Sequence, residues 1–211
     1  MTQFEANHAE GLRLYYLKRY DEAVDLLARN GAAGGVKSSY FLAWLYENGT
    51  GVEQDLEKAA YWFRLASEQG DREAQLSYAM ICALGKGMEE DISAACHWAT
   101  VSYHGGNPKA LQTLQVIRSR ADGEAADATR AFQEAHRSGD LDEAARQLLR
   151  AAECGDANAQ YAYAQLLDSG RGVEQNTEEA KLWFRDAAEQ GHDAARRKLT
   201  EMLWGDEGGQ E

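Results

Sequence analysis

The 211-residue chain contains 36 alanines but only nine valines and isoleucines together, and a single proline. Because strands favour β-branched residues and alanine has the lowest helix cost, this composition argues against an all-β or parallel-sheet fold and predicts an all-α one. The formal net charge of −13 disfavours nucleic acid and anionic membrane surfaces as partners, since both are themselves negatively charged.

The sequence carries no sign of export. Its N-terminus lacks the basic start and apolar run of a signal peptide, and no stretch approaches the roughly 18 apolar residues of a membrane span. The three cysteines, Cys82, Cys96 and Cys154, are too few and odd in number for a disulfide framework. We therefore expect a cytoplasmic protein with reduced thiols.

Internal repetition organises the chain into helix pairs. Gly49 and Gly51 recur at shifts of 36 and 121 residues, and the 121-residue shift gives 24 identities over 54 positions. The predicted elements, in chain order, are repeats over 4–34, 38–70 and 74–106, a closing helix over 108–120, repeats over 124–155 and 159–191, and a closing helix over 194–204. The prediction is one helical-repeat domain, residues 1–211, with about 12 helices in blocks 1–121 and 122–211.

Each repeat is predicted to hold a helix A followed by an antiparallel helix B. Helix A carries a small residue where helices approach closely (Ala43, Ala79, Ala164), and helix B begins after a capping residue (Asp55, Asp91, Asn176). A glycine with positive φ is expected just after helix B (Gly34, Gly70, Gly106, Gly155, Gly191). Asn107 is expected to cap the first closing helix, with Pro108 at its first position.

Segments 38–70, 74–106 and 159–191 share a pattern in which Gly-x-Gly-[VM] precedes Ala, Trp and a final Gly at fixed spacing. In this they resemble the Sel-one-like repeat (SLR) family, while residues 4–34 and 124–155 resemble the related tetratricopeptide repeats. The resemblance implies an α/α superhelical solenoid that holds other proteins or peptides, often as an adaptor. Secreted cysteine-rich members carry paired cysteines in every repeat, and segments 38–70 and 159–191 have none.

Catalytic chemistry finds little support in the sequence. The loop LGKGM lacks the remainder of a phosphate-binding motif, and no nucleophile–base pattern is present. Cys96, His97 and His104 could share a helix face and serve a metal-dependent protein or enzyme, but tetrahedral zinc takes four ligands. We expect no enzyme activity, no metal and no cofactor, and we keep this trio as the alternative.

In a tetratricopeptide-like solenoid the concave wall is lined by helix A side chains, and these are the candidate binding residues. The family frame places the following residues there: Leu12, Tyr15, Tyr16, Tyr40, Trp44, Glu47, Leu76, Met80, His136, Arg137, Tyr161, Gln165, Arg197 and Trp204. The wall is expected to be aromatic and aliphatic in the first block and polar in the second. Such apolar patches are favoured sites of partner contact.

The leading hypothesis is a non-catalytic interaction module, an adaptor or scaffold that grips a peptide or partner helix in its groove. An inhibitor or immunity protein that neutralises a protein partner is the alternative of the same class. The acidic balance predicts a neutral to basic partner. The charged tail and the polar closing helix predict a monomer or a small oligomer.

Overall fold

The computed structural model describes residues 2–205, which form twelve α-helices and no strand within that range. About three quarters of the described residues are helical, so the predicted all-α repeat solenoid is confirmed. The helices are α1 Gln3–Tyr16, α2 Tyr20–Ala32, α3 Val36–Asn48, α4 Leu56–Glu68, α5 Arg72–Leu84, α6 Ile92–His104, α7 Ala110–Arg118, α8 Asp122–Ser138, α9 Leu141–Glu153, α10 Ala157–Ser169, α11 Thr177–Glu189 and α12 Asp193–Gly205.

The chain forms two compact units, the first ending at Ile117 and the second beginning at Arg118. In the first unit, α1 to α6 pack in chain order, each helix against the next. In the second unit, α8 to α12 pack in the same sequential way. The predicted division lies four residues later, between 121 and 122. The charged tail, residues 206–211, lies outside the described part of the chain.

Side-chain caps begin the B helices where the sequence predicted them. The carboxylate of Asp55 accepts a hydrogen bond from the Lys58 N–H at 2.9 Å, and that of Asp91 accepts one from the Ala94 N–H at 2.8 Å. The Asn176 amide oxygen does the same for the Glu179 N–H at 3.1 Å. Each cap satisfies an N–H group that the first helical turn leaves without a partner, which fixes where helix B starts.

Short joints connect each B helix to the following helix, and we call these the B–A joints. They comprise residues 33–35, 69–71, 105–107, 154–156 and 190–192, and the middle residue of each is a glycine with a φ between 82° and 102°. Four of them span the whole connection, whereas 105–107 is followed by a turn at Pro108 and Lys109 before α7 begins. At 69–71 the Gly70 N–H donates to the Ser67 carbonyl at 3.0 Å and the Asp71 N–H donates to the Ala66 carbonyl at 3.1 Å. Equivalent pairs of bonds close the other four joints, so the predicted glycine frame is confirmed.

The core lies between the A and B helices. The small residues predicted at the close approaches, Ala43, Ala79 and Ala164, are completely buried. In two repeats a tyrosine of helix A meets a tryptophan of helix B edge-on, with the Tyr78 and Trp98 ring centroids 5.9 Å apart and those of Tyr163 and Trp183 5.8 Å apart. Burial raises the pKa of both tyrosines to about 12, so the phenols stay neutral inside the core.

The first closing helix is shorter than predicted. It runs from Ala110 to Arg118 rather than over 108–120, because Pro108 and Lys109 form a turn instead of a first helical turn. Asn107 organises this turn, since its side-chain oxygen accepts a bond from the Lys109 N–H at 3.0 Å and its carbonyl accepts one from the Ala110 N–H at 3.1 Å. The second closing helix, α12, is slightly longer than predicted.

Among residues 2–205, Lys18 is the only residue other than glycine with a positive φ, which is 60°. Its counterpart at the 121-residue shift is Gly139, with a φ of 82°. We expect Lys18→Gly to stabilise the protein by about 1 kcal/mol, because glycine adopts the left-handed region without a Cβ clash.

The measurement is the thermal unfolding midpoint, which should rise by about 2–4 °C for a chain of this size. The converse change, Gly139→Lys, is the matched control and should lower the midpoint by a similar amount. No atom lies within 4 Å of a Cβ added to Gly139, so backbone strain is the only expected cost of that Cβ. Unchanged midpoints in both variants would contradict the strain argument.

Candidate functional site

Five aromatic residues of α1, α2 and α3 form a connected group in the first unit, which we call the aromatic cluster: Tyr15, Tyr16, Tyr20, Phe41 and Trp44. The Tyr15 ring meets Phe41 edge-on at a centroid distance of 5.4 Å, and it lies 5.5 Å from each of Tyr16 and Tyr20. Phe41 stacks on Trp44 with centroids 5.9 Å apart and an interplanar angle of 11°. The cluster therefore joins helix A of the first repeat to helix A of the second.

Two members of the cluster reach solvent. The side chain of Tyr16 is 77% exposed and that of Trp44 is 38% exposed, whereas Tyr15 and Phe41 are half-buried beneath them. Rings that are held by their neighbours lose little rotamer freedom when a partner covers them, which favours binding. This arrangement can offer a partner an apolar surface, with no chemical reaction required.

Phe41 links the cluster and was not among the predicted residues. Its counterparts in the other long repeats are Ser77 and Ala162, so the repeat pattern does not mark the position. The available signal was its spacing three residues before Trp44, which places the two rings on one face of α3.

One predicted wall residue lies in the packed interior and another is partly covered by its neighbours. Leu76 is buried, because α5 packs between α4 and α6 and its neighbours cover this position. Tyr40 is half-buried with its ring edge-on to Phe63 at 5.6 Å, and burial, followed by the nearby Glu73 charge, raises the pKa of its phenol. Neither side chain offers much apolar surface to a partner. Leu12 and Glu47 are half-buried, and Met80 is exposed.

The second unit contains an open pocket of about 630 Å³, which we call the second-unit pocket. Its lining comes from α8, α9, α10, the residue Arg171 and α12. The buried residues Ala144, Ala145 and Leu148 of α9 form part of the apolar lining. Phe132 and His136 of α8 stack on each other, with ring centroids 5.8 Å apart and an interplanar angle of 26°.

Polar side chains also line this pocket. Asp168 and Lys198 form an ion pair with 3.3 Å between their charged atoms, and Gln165 donates a hydrogen bond to the Tyr161 hydroxyl at 3.0 Å. Tyr161 in turn stacks on His192 at 4.5 Å. These polar side chains of the helix A wall accompany apolar residues of α9 in the same pocket.

The remaining predicted residues lie on the surface of the second unit. Arg137 and Arg197 are exposed, and Trp204 near the end of α12 is 74% exposed. Of the wall residues predicted for this unit, the structure brings His136 and Gln165 together in one pocket. It does not place Arg137, Arg197 or Trp204 among the lining residues.

The alternative metal site finds no support in the geometry. Cys96 is buried, the His97 ring lies against Trp98 at 5.2 Å, and that of His104 lies against Tyr103 at 5.5 Å. No three side chains of the His, Cys, Asp and Glu types gather into a metal-binding group anywhere between residues 2 and 205. Burial raises the pKa of the Cys82 thiol to about 11, which keeps it protonated near neutral pH.

None of the helices in the described range combines the length and apolar character that crossing a membrane requires.

Comparison with solved structures gives a similar fold at a TM-score above 0.5. The chain resembles the crystal structure of a protective antigen present in uropathogenic Escherichia coli strains displaying an SLR fold, with a TM-score of 0.51 and 24% identity. The match covers 94% of this chain and 48% of the antigen, so the chain spans about half the length of that protein. A Sel1 repeat protein from Oxalobacter formigenes gives a TM-score of 0.47 and 24% identity, covering 92% of this chain and 74% of that protein. A search of the curated proteins found no match.

The Sel1 repeat family matches residues 36–71, 72–107 and 157–192. These are the three long repeats, with boundaries within three residues of those predicted from the sequence. The three matches of 36 residues cover 108 of the 211 residues, just over half. The chain therefore belongs to the Sel1 repeat family, whose members generally mediate protein–protein interactions and are typically non-catalytic scaffolds.

Proposed function

We propose that this chain is a non-catalytic adaptor or scaffold that binds a peptide or helix of a protein partner on the helix A face of its first unit. The observation that carries this proposal is the exposed part of the aromatic cluster. Tyr16 and Trp44 present apolar ring surface to solvent, and their rings contact Tyr15 and Phe41 respectively. Aromatic side chains that a partner can desolvate often dominate binding energies.

The charge of the chain supports a neutral to basic partner. A net charge of −13 attracts basic surfaces and repels acidic ones, and this selects partners before any close contact forms. The three cysteines are buried and form no disulfide, which fits a reducing compartment such as the cytoplasm.

The test is a binding comparison between Trp44→Ala and Tyr61→Ala. Tyr61 is a suitable control because it is a similarly exposed aromatic residue, 49% exposed, on helix B of the same repeat. We expect Trp44→Ala to weaken capture of the native partner from a cell extract by at least about tenfold, and Tyr61→Ala to leave it unchanged. Raising the salt concentration should also reduce capture if the partner is basic.

Thermal unfolding separates binding from folding in this experiment. Trp44→Ala loses one ring stacking on Phe41 and should cost about 1 kcal/mol. A large loss of stability with unchanged binding per folded molecule would mean that Trp44 is structural, and the proposal would be wrong. An inhibitory role is a special case of the same binding, and is tested by assaying the captured partner's activity with and without added chain.

A further inference from the structure

The two units form equivalent backbone hydrogen bonds at positions that lie 121 residues apart. In the first unit the Lys18 N–H donates to the Tyr15 carbonyl and the Arg19 N–H donates to the Leu14 carbonyl. In the second, the same bonds run from Gly139 to His136 and from Asp140 to Ala135, each 121 residues later. A residue of the first unit can therefore be compared with the residue 121 positions further along.

This comparison shows that the second-unit pocket corresponds to the place that the aromatic cluster fills. Four cluster residues have smaller or non-aromatic counterparts: Tyr15 corresponds to His136, Tyr20 to Leu141, Phe41 to Ala162 and Trp44 to Gln165. All four counterparts line the pocket. Three of these four rings are thus absent where the second unit is open, and the smaller His136 ring replaces the fourth.

One ring is gained in exchange. Phe132 corresponds to Gly11, and it stacks on His136 at one side of the pocket. The gain does not close the space, because about 630 Å³ remains, within the range of about 300–1,000 Å³ that ligand pockets occupy. Apolar groups that line such an open pocket face water, and covering them with an apolar group is favourable.

We propose that the second-unit pocket binds an aromatic side chain presented by a partner polypeptide. The first unit supports this choice of occupant, since tyrosine, phenylalanine and tryptophan rings fill the corresponding space there. The Phe132–His136 stack offers a ring surface, and Leu148 with the neighbouring alanines offers apolar contact. The proposal rests on the proposed function as a protein-binding module and adds a second contact point with a defined chemistry.

The experiment is a nuclear magnetic resonance titration of the full chain, labelled with nitrogen-15, against two blocked pentapeptides. One has the sequence Gly-Ser-Trp-Ser-Gly and the other carries alanine at the centre. We expect the tryptophan peptide to shift the amide signals of pocket-lining residues in a saturable way, and the alanine peptide to bind at least tenfold more weakly. Equal shifts from both peptides, or shifts spread evenly over the surface, would overturn the proposal.

Filling the pocket supplies the decisive variant. Ala162→Phe introduces the ring that Phe41 provides in the first unit, and it should abolish the peptide-induced shifts while leaving the unfolding midpoint unchanged or raised. Ala126→Phe is the matched control, because it adds the same ring at an exposed position of α8 outside the pocket, and it should bind as the unaltered chain does. If Ala162→Phe fails to fold, Gln165→Trp at the exposed counterpart of Trp44 serves the same purpose.

The outcomes separate this proposal from the proposed function. If the tryptophan peptide does not bind the pocket, or binds Ala162→Phe as well as the unaltered chain, the pocket proposal is wrong while capture through Trp44 can still stand. If the peptide binds and is blocked by Ala162→Phe, the pocket assignment is supported even where Trp44→Ala has no effect on capture.

Discussion

Gly87→Ala is expected to be one of the most destabilising single substitutions in the chain. Gly87 has a φ of 71°, and a Cβ added to it would lie 2.2 Å from the Leu56 carbonyl oxygen and 2.3 Å from the Leu56 carbonyl carbon. These atoms belong to the backbone at the start of α4, so they cannot move away as a flexible side chain could. With the strain of the left-handed region added, we expect a loss of at least about 3 kcal/mol, or about 6–12 °C in the unfolding midpoint.

Equivalent glycines of the other long repeats provide graded controls. A Cβ on Gly51 would meet the Tyr20 ring at 2.4 Å, and that ring can turn aside. A Cβ on Gly172 would meet only ordinary contacts, 3.6 Å or more away. Gly172→Ala should therefore cost about 1–2 kcal/mol, and Gly51→Ala should fall between it and Gly87→Ala. Equal losses at all three positions would show that backbone strain alone decides the effect.

Arg118→Ala is expected to have a comparable effect in the second unit. The Arg118 Nε donates a hydrogen bond to the Glu153 carbonyl at 3.0 Å, and its Nη2 lies 3.9 Å from an Asp186 carboxylate oxygen. The Asp186 side chain is only 2% exposed and that of Arg118 is 19% exposed. Removing the arginine takes a cation away from a buried carboxylate, and such changes cost about 3–5 kcal/mol. Chemical unfolding of the variant measures this loss.

A second variant distinguishes charge from packing. In the first unit, the position equivalent to Asp186 is occupied by Leu65. The repeat therefore has a precedent for an apolar residue at this position. The double variant Arg118→Met with Asp186→Leu should recover at least half of the lost stability, because no charge is left buried. If the double variant is as unstable as Arg118→Ala, the effect comes from lost contacts of the arginine rather than from the carboxylate.

The fold could be predicted from the sequence because its determinants are local. A capping side chain and a glycine with positive φ mark the two ends of helix B, and both can be recognised from residue type and spacing. The prediction of the first closing helix was wrong at its start for the same local reason. Proline is tolerated at a first helical position, but here Asn107 bonds to the Lys109 N–H and holds Pro108 in a turn.

The candidate site was less predictable because exposure depends on neighbouring helices. Position in the repeat frame identified Tyr16 and Trp44, yet the same frame placed Leu76 on the wall, where adjacent helices bury it. The sequence analysis did not predict the second-unit pocket, because its volume results from several residue differences between the two units, spread over three helices. Considered individually, His136 and Gln165 predict only a polar surface.

The B–A joints determine where the chain can accept new sequence. Four of the five joints span the whole connection with three residues, and each of these fixes a glycine φ and two hydrogen bonds, so they have no spare length. One additional residue there would turn the following helix by about 100° and point its apolar face away from the core. The A–B loop is different, because it has three residues between α1 and α2 and seven between α3 and α4, while the helix B that follows keeps its length. Tags or recognition loops inserted at 49–55 or 170–176 should therefore leave the direction of the later helices unchanged.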